Sequence, residues 1–330
     1  MTVTRVQSQE LQFLLPDVKL ATLDSKDYKK AIYRWLTLGI LPAGLVAYPS
    51  TAPHVSSLIS FASKRHLDLA TVSGGGHGIR LGLNSSSGGW SSIYLTSNVF
   101  LFQVLRRTKS RSAQAVYSQR SMTFFGRRSW RFVGGVCTGV GLGGYSLKGG
   151  YGWLTGAHGL AVDNTISVQI VLTDGSIVRA SEMENEDLFR AVRGAGPAFG
   201  VVTEFVIQAF PQPNLVWNGA MVFGQKYLET LSDIANKIME EGNGEGKAAM
   251  DFTWGIPPDS EDGEVKTMAL VFYNGPESDA KSFFTRLLDL KPDVNTTTLK
   301  LFAEAGIPGV SRPGDWRNAE LEDRAWRFSA

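Results

Sequence analysis

The chain predicts an α+β fold in two lobes, and three observations carry that expectation. Strand-like and helix-like segments alternate up to Pro211. Beyond Pro211 and Pro213 the order changes to strand, helix, strand, strand, helix, which suits an antiparallel sheet covered by helices on one face. Glycine is abundant and clustered, with 36 residues in all and 11 of them between 134 and 159. The 330 residues are 43% hydrophobic and 19% charged, enough apolar material for a core. At about 150 residues per domain the length suggests roughly two domains.

The elements follow in order. Residues 1–38 are expected to form an N-terminal helical segment, with Tyr28, Ile32 and Trp35 at helical spacing and Gly39 as a stop. Gly44 to Pro49 reads as a buried strand. Thr51 and Pro53 open a helix whose apolar face is Val55, Leu58, Ile59 and Ala62. Leu69 to Val72 is a second strand, running straight into Ser73-Gly74-Gly75-Gly76-His77. Segment 99–131 shows neither alternation nor helical period and is expected to be irregular. After the glycine-dense stretch come strands at Ile166–Leu172 and Ile177–Ala180 around Thr173-Asp174-Gly175. A helix over 186–192 and a strand over 200–207 follow. The second lobe, 212–330, is expected to hold strands at 215–223, 248–255 and 266–273. Its helices carry Leu228, Leu231, Ala235 and Ile238, then Ala280, Phe283, Phe284, Leu287 and Leu288. This order lacks the last strand of a split βαβ unit, so the sheet is expected to be incomplete and the lobe truncated.

Composition excludes several functions. A single cysteine, Cys137, rules out an internal disulfide framework and a multi-cysteine zinc site, and four histidines do not make a metal cage. No apolar run approaches the roughly 20 residues of a membrane-spanning helix. The N-terminus lacks a signal peptide's apolar stretch, so a cytoplasmic location is expected. Net charge is +2, but no Asp or Glu occurs between Asp68 and Asp163, where ten basic residues lie. Such a segment can hold a polyanion, whether nucleic acid or a cofactor pyrophosphate, or form a solvated face. Loss of every carboxylate with arginine and serine enrichment is also what an out-of-frame translation would give.

Eleven glycines in 26 residues cannot form a regular element, because each costs about 0.5–1 kcal/mol there against alanine. They let the backbone turn sharply and present amides to an anion. A flexible linker is the bland alternative, but Val140, Leu142, Tyr145, Leu147, Tyr151, Trp153 and Leu154 are interleaved with them, and linkers do not carry such side chains. Gly139-Val140-Gly141-Leu142-Gly143-Gly144 satisfies G-x-G-x-x-G, with Asp163 about 20 residues on. A Rossmann helix opening there would hold Gly149, Gly150 and Gly152 at a cost of roughly 2–3 kcal/mol, so a nicotinamide-dinucleotide domain is rejected. His77 ends a triple-glycine turn where backbone can approach a ligand. His54, His66 and His158 lack such context and read as surface or core residues.

These residues resemble a known family. Ser73-Gly74-Gly75-Gly76-His77 resembles the R/S-G-G-G-H loop of vanillyl-alcohol-oxidase flavoproteins, whose FAD-binding domain is of the p-cresol-methylhydroxylase (PCMH) type. Cys137-Thr138-Gly139-Val140-Gly141-Leu142-Gly143-Gly144 is similar to the C-P-x-V-G-x-G-G run of the berberine-bridge-enzyme-like branch. Residues 149–164 match G-G-Y-G-W-L-T-x-x-H-G-L-x-x-D-N. Asp187-Leu188-Phe189, Arg193-Gly194-Ala195-Gly196 and Phe199-Gly200-Val201-Val202-Thr203 match a D-L-F-W-A-x-R-G-A-G-x-x-F-G-V-V-T block, with Arg190 in place of its tryptophan. Four pieces in the right order are strong where each alone is weak. The 6-hydroxy-D-nicotine-oxidase-like and fungal secondary-metabolism FAD-linked oxidoreductases are the nearest groups.

The resemblance implies a two-subdomain PCMH-type FAD-binding domain over 39–211 and a substrate-binding domain over 212–330. It implies FAD contacts from Ser73, Gly74, Gly75, Gly76, His77 and Gly78 in the first loop. In the second it implies contacts from Cys137, Thr138, Val140, Gly141, Gly144, Gly150, Gly152, Trp153, Gly159, Leu160 and Asp163, and further on from Gly200, Val201 and Val202. In the family the loop histidine bonds the flavin 8α-methyl and, in the bicovalent branch, the cysteine bonds C6, which points to His77 and Cys137. The competing reading of Cys137 is a buried, inert thiol. The expected activity is oxidation of a small organic substrate in secondary metabolism with O2 as acceptor, Val140 leaving oxygen access. No catalytic base and no metal are assigned. The rival readings are a basic binding protein using 106–131, possible for nucleic acid but disfavoured, and a flavoprotein fragment without turnover.

Overall fold

The computed structural model describes residues 5–32, 42–73, 92–97, 101–106, 116–117, 130–137, 140–242, 244–256 and 263–306. They form an α+β architecture of three sheets. Helix α1 (Arg5–Leu14), strand β1 (Lys19–Ala21) and helix α2 (Tyr28–Ala31) precede β2 (Leu45–Tyr48), α3 (Ala52–Lys64), β3 (Asp68–Ser73) and β4 (Ser92–Ser97). The first sheet has the order β1-β2-β4-β3, with β1 antiparallel to β2 and the other pairs parallel. The N-terminal segment expected to be helical therefore also supplies a sheet strand: Lys19 to Ala21 pair with Val46 to Tyr48. A three-residue strand carries too little alternation to register in sequence.

Thr51 caps α3, its Oγ1 accepting from the His54 amide at 3.3 Å, and Pro53 fits the first turn, where no amide donor is needed. The expected apolar face is the buried one, with Phe61 added. It packs on Leu11, Leu45 and Ala47 on one side and on Val171 and Val201 of the second sheet on the other. Leucine- and isoleucine-sized side chains contribute about 1.5–3 kcal/mol each when fully buried, so α3 ties the two sheets together.

The second sheet contains β5 (Leu101–Arg106), β6 (Val116–Tyr117), β7 (Trp130–Arg131), β8 (Thr165–Leu172), β9 (Ile177–Ser181) and β10 (Gly200–Pro211). Its order is β6-β5-β10-β8-β9, and β7 pairs antiparallel with Phe210 and Pro211 at the end of β10. Within 99–131, expected to be irregular, the described residues 101–106, 116–117 and 130–131 are strands instead: β5 runs parallel to Glu204–Ala209 of β10, and β6 pairs with β5, while 107–115 and 118–129 lie outside the described residues. Leu101-Phe102-Gln103-Val104-Leu105 is a short, mostly apolar run, and a run of that length shows too little alternation to register as a strand in sequence. Between β7 and β8 lie α4 (Leu142–Ser146) and α5 (Thr155–His158), and α6 (Glu186–Ala195) precedes β10. Phe189 and Val192 of α6 and Leu142 and Leu147 beside α4 cover Val168, Ile170, Phe205 and Ile207. Arg190, which stands at the tryptophan position of the sequence pattern it resembles, is exposed and pairs with Glu186 one turn back at 3.0 Å.

The third sheet is built from β11 (Val216–Gly224), β12 (Ala248–Gly255), β13 (Lys266–Tyr273), β14 (Val294–Asn295) and β15 (Thr298–Lys300), with α7 (Leu228–Glu241), α8 (Glu277–Phe283) and α9 (Thr285–Asp289) on one face. The order β12-β13-β11-β14, antiparallel throughout, is that of a split βαβ unit. The missing last strand is thus present in two pieces, β14 and β15, both on β11. Thr296 and Thr297 interrupt it, which hid it from a pattern search. The edge of β11 expected to be open is covered there.

No described helix is long and apolar enough to cross a membrane.

Candidate functional site

The second glycine stretch folds as a packed double loop wedged between the second and third sheets. Gly141 opens α4, and the helix ends at Leu147, before Gly149 and Gly150 take φ of +104° and +80°. Those angles end any helix, which is the physical reason the G-x-G-x-x-G run is not a Rossmann turn. The chain then returns on itself: the Ala161 amide donates to Gly150 O at 2.9 Å and the Val162 amide to Gly149 O at 3.0 Å.

Two of these glycines are fixed by protein neighbours. A Cβ on Gly150 would lie 2.7 Å from the Ala161 Cβ and 2.8 Å from the Tyr145 ring. One on Gly152 would lie 1.9 Å from Gly134 O. Gly144 differs, because a Cβ there would meet no atom within 4 Å among the described residues beyond its own helix backbone. It is exposed on α4, where alanine would be the better helix former. Packing explains glycine at 150 and 152. At 144 a ligand's close approach would explain it.

Asp163 and Asn164 organise the turn that closes the loop. The Leu160 amide donates to Asp163 Oδ2 at 2.9 Å, and Asn164 Nδ2 donates to the carbonyls of His158 and Leu160, both at 2.8 Å. Gly159 takes φ +77° there. Trp153 is buried, stacks on Phe272 of β13 at 5.3 Å and 3°, and donates from Nε1 to Ala305 O at 2.8 Å. It is the bolt between the loop and the third sheet. Val201 and Val202 are buried on opposite faces of β10, in the α3 core and the α6 core, and a Cβ on Gly200 would lie 2.2 Å from Val171 O. The positions of Trp153, Asp163, Gly200, Val201 and Val202 are accounted for by these protein contacts.

Cys137 and Val140 are half-buried, joined by a turn in which the Val140 amide donates to Cys137 O at 3.3 Å. Ser73 closes β3. Gly74, Gly75, Gly76, His77, Gly78 and Thr138 lie outside the described residues.

Sequence reasoning missed Tyr145 as a site residue. Its ring lies against Gly135, Gly150 and Gly152, each of which would crowd it with a Cβ. Its hydroxyl is buried without a hydrogen-bond partner among the described residues, and burial pushes the phenol's pKa up, so it stays protonated. A buried hydroxyl lacking a partner costs about 1–3 kcal/mol, so this one is a donor available to a polar group held at the loop. An aromatic residue among glycines was the available signal. Arg131 stands apart from the expected solvated basic face. It is buried, donates from Nη1 to Trp130 O at 2.7 Å and lies 5.5 Å over the Phe302 ring. Among the described residues no group of three or more His, Cys, Asp or Glu is placed to hold a metal.

This loop geometry has relatives. The FAD-linked oxidoreductase pgmH of Aspergillus terreus is 31% identical over 297 residues, covering 87% of this chain and 58% of that protein. The chain is thus similar over most of its own length to an FAD-linked oxidoreductase. Xylooligosaccharide oxidase of Thermothelomyces thermophilus is 48% identical over 97 residues, 27% of this chain and 20% of that protein. The fold is that of 6-hydroxy-D-nicotine oxidase of Arthrobacter nicotinovorans, with TM-score 0.75 at 22% identity over 88% of this chain and 63% of that one. No protein-family model matches the chain. It spans little more than half the length of the curated relative that it matches over most of its own length.

Proposed function

We propose that the chain is the FAD-binding part, with an adjoining substrate lobe, of an FAD-dependent oxidase that removes hydride from a small organic molecule. Residues 39–211 form the PCMH-type cofactor domain in two subdomains, 1–38 lead into it, and 212–330 belong to the substrate lobe. The observation that carries this reading is the double loop at 137–164, packed where its own glycines require it and open at Gly144. The donor set fits the group: backbone amides of a glycine loop suit a pyrophosphate, and the Tyr145 hydroxyl suits a polar flavin or ribityl atom.

His77 is the proposed covalent anchor and Cys137 the proposed second one. Bound FAD supplies the two-electron acceptor, and the protein supplies binding and orientation. Trp153 and Leu154 hold the loop against β11 and β13 and exclude water from that seam. Val140, small and next to Cys137, leaves O2 its access. The substrate is a small molecule. Relatives named for oligosaccharide oxidation and for FAD-linked oxidoreduction leave sugars and specialised metabolites as the two classes to assay first.

The test is peptide mapping of the purified protein for acid-stable flavin. A flavin peptide containing His77, absent from His77→Ala, is the expected result, with a Cys137 peptide cross-linked to it. A colourless wild-type protein overturns the reading. Cys137 that alkylates freely in the denatured flavoprotein removes the second bond alone.

A further inference from the structure

Arg193 lies in none of the loop segments discussed above, yet its side chain reaches one of them. Helix α6 breaks at its end: Arg193 has ψ +70° and Gly194 has φ +135°. Among the described residues a Cβ on Gly194 would meet nothing within 4 Å, so glycine is needed there for the backbone angle. The break turns the Arg193 side chain onto the closing turn of the double loop. Its Nε donates to Val162 O at 3.0 Å, and Nη2 lies 3.4 Å from Asp163 Oδ1. The same two residues face the loop on their other side. The Val162 amide holds Gly149 O, and Asp163 Oδ2 takes the Leu160 amide.

We propose that Arg193 is a positioning residue for the cofactor loop: from the broken end of α6 it grips the Val162 carbonyl and the Asp163 carboxylate and, through the 149–150/161–162 ladder, sets Gly149 and Gly150. The forked guanidinium matters because one planar group serves a carbonyl and a carboxylate at once. A lysine ammonium can satisfy one of them well. The flavin consequence rests on the cofactor reading above, whereas the loop consequence does not.

The experiment uses the full chain as expressed and digestion by a lysine-specific protease, with cleavage at Lys148 and at Lys281 each read from its own fragments, apart from the new site that Arg193→Lys creates at its own position. Lys148, exposed and immediately before Gly149, reports on the loop, and Lys281, exposed on α8, reports on the third sheet. Arg193→Ala is expected to speed cleavage at Lys148 about tenfold relative to Lys281, as local opening does when one anchoring charge-assisted bond is lost. Arg193→Lys is expected to lie between Arg193→Ala and wild type, and flavin incorporation should fall in the same order. Parallel acceleration at both lysines would mean a general loss of stability and would overturn the proposal. So would unchanged cleavage at Lys148, or selective cleavage with wild-type flavin incorporation. A wild-type protein without flavin but with selective cleavage in Arg193→Ala would sink the cofactor reading and leave the loop latch standing.

Discussion

The double loop at 134–164 and the third sheet meet at Trp153 and Phe272, but they are specified by different physics. In the sheet, alternation does the work. Trp217, Met221 and Phe223 of β11 face α7 to α9, while Val216 and Ala220 face the loop, and any residue of similar size and polarity would keep the arrangement. In the loop, single atoms decide. Gly152 cannot accept one carbon, because Gly134 O stands 1.9 Å from where it would go. A pattern tolerates substitution and a close contact does not, so the two regions should respond differently to mutation.

The largest effect belongs to the sheet's core. Phe284 is 1% exposed, packs edge-on to Phe283 at 4.9 Å and stacks on Trp217 at 5.8 Å. Phe284→Ala is expected to cost about 3–5 kcal/mol in a urea unfolding curve, and Phe284→Leu under about 1.5. If leucine costs as much as alanine, the sheet depends on exact shape as the loop does, and the contrast fails.

The same contrast explains what could be read from sequence. Strands β12 and β13 were placed at their observed bounds, and β11 within a residue, because eight or nine residues give several cycles of alternation. Strands β1, β14 and β15 have two or three residues each and give none. Glycine density marks the loop as a loop. Density could not separate Gly150 and Gly152, which pack on protein, from Gly144, which does not. That distinction exists only once Tyr145, Ala161 and Gly134 are brought beside them.

Paired alanine substitutions at glycines sharpen the comparison within the loop. Gly152→Ala must displace the Gly134 backbone, and overpacking of that kind costs about 1–3 kcal/mol. Gly144→Ala meets no atom of another described element and replaces glycine in a helix, so it is expected to raise stability by about 0.5–1 kcal/mol while lowering flavin incorporation. Thermal unfolding and flavin absorbance of the two variants give the answer. A Gly144→Ala protein with full flavin would remove that residue from the cofactor cradle.

Where the regions join, one hydrogen bond can be removed with the stack left in place. Trp153→Phe keeps an aromatic ring on Phe272 and loses the Nε1 donor to Ala305 O. The carbonyl left behind in a buried seam should cost about 1 kcal/mol. Trp153→Leu, which also forfeits the stack, should cost more. Equal losses would show that the seam is held by hydrogen bonding alone.

The smallest effect is a pH dependence at the loop's last helical residue. His158 stacks on Phe210 of β10 with ring centroids 3.7 Å apart and planes 2° from parallel, and burial lowers its imidazole pKa. The neutral ring is therefore favoured in the fold, while the unfolded chain keeps an ordinary value of about 6.5. As pH falls through about 6.5 the unfolded state takes up the proton first. This site's contribution is full above that pH, declines below it, and stops declining once the folded pKa is passed. Phenylalanine preserves the ring contact and cannot be protonated. His158→Phe should accordingly show a shallower loss of stability than wild type between neutral pH and the folded pKa, with the two proteins closest near neutrality. Parallel urea midpoints across that window would mean that the stacked ring carries its proton as readily folded as unfolded.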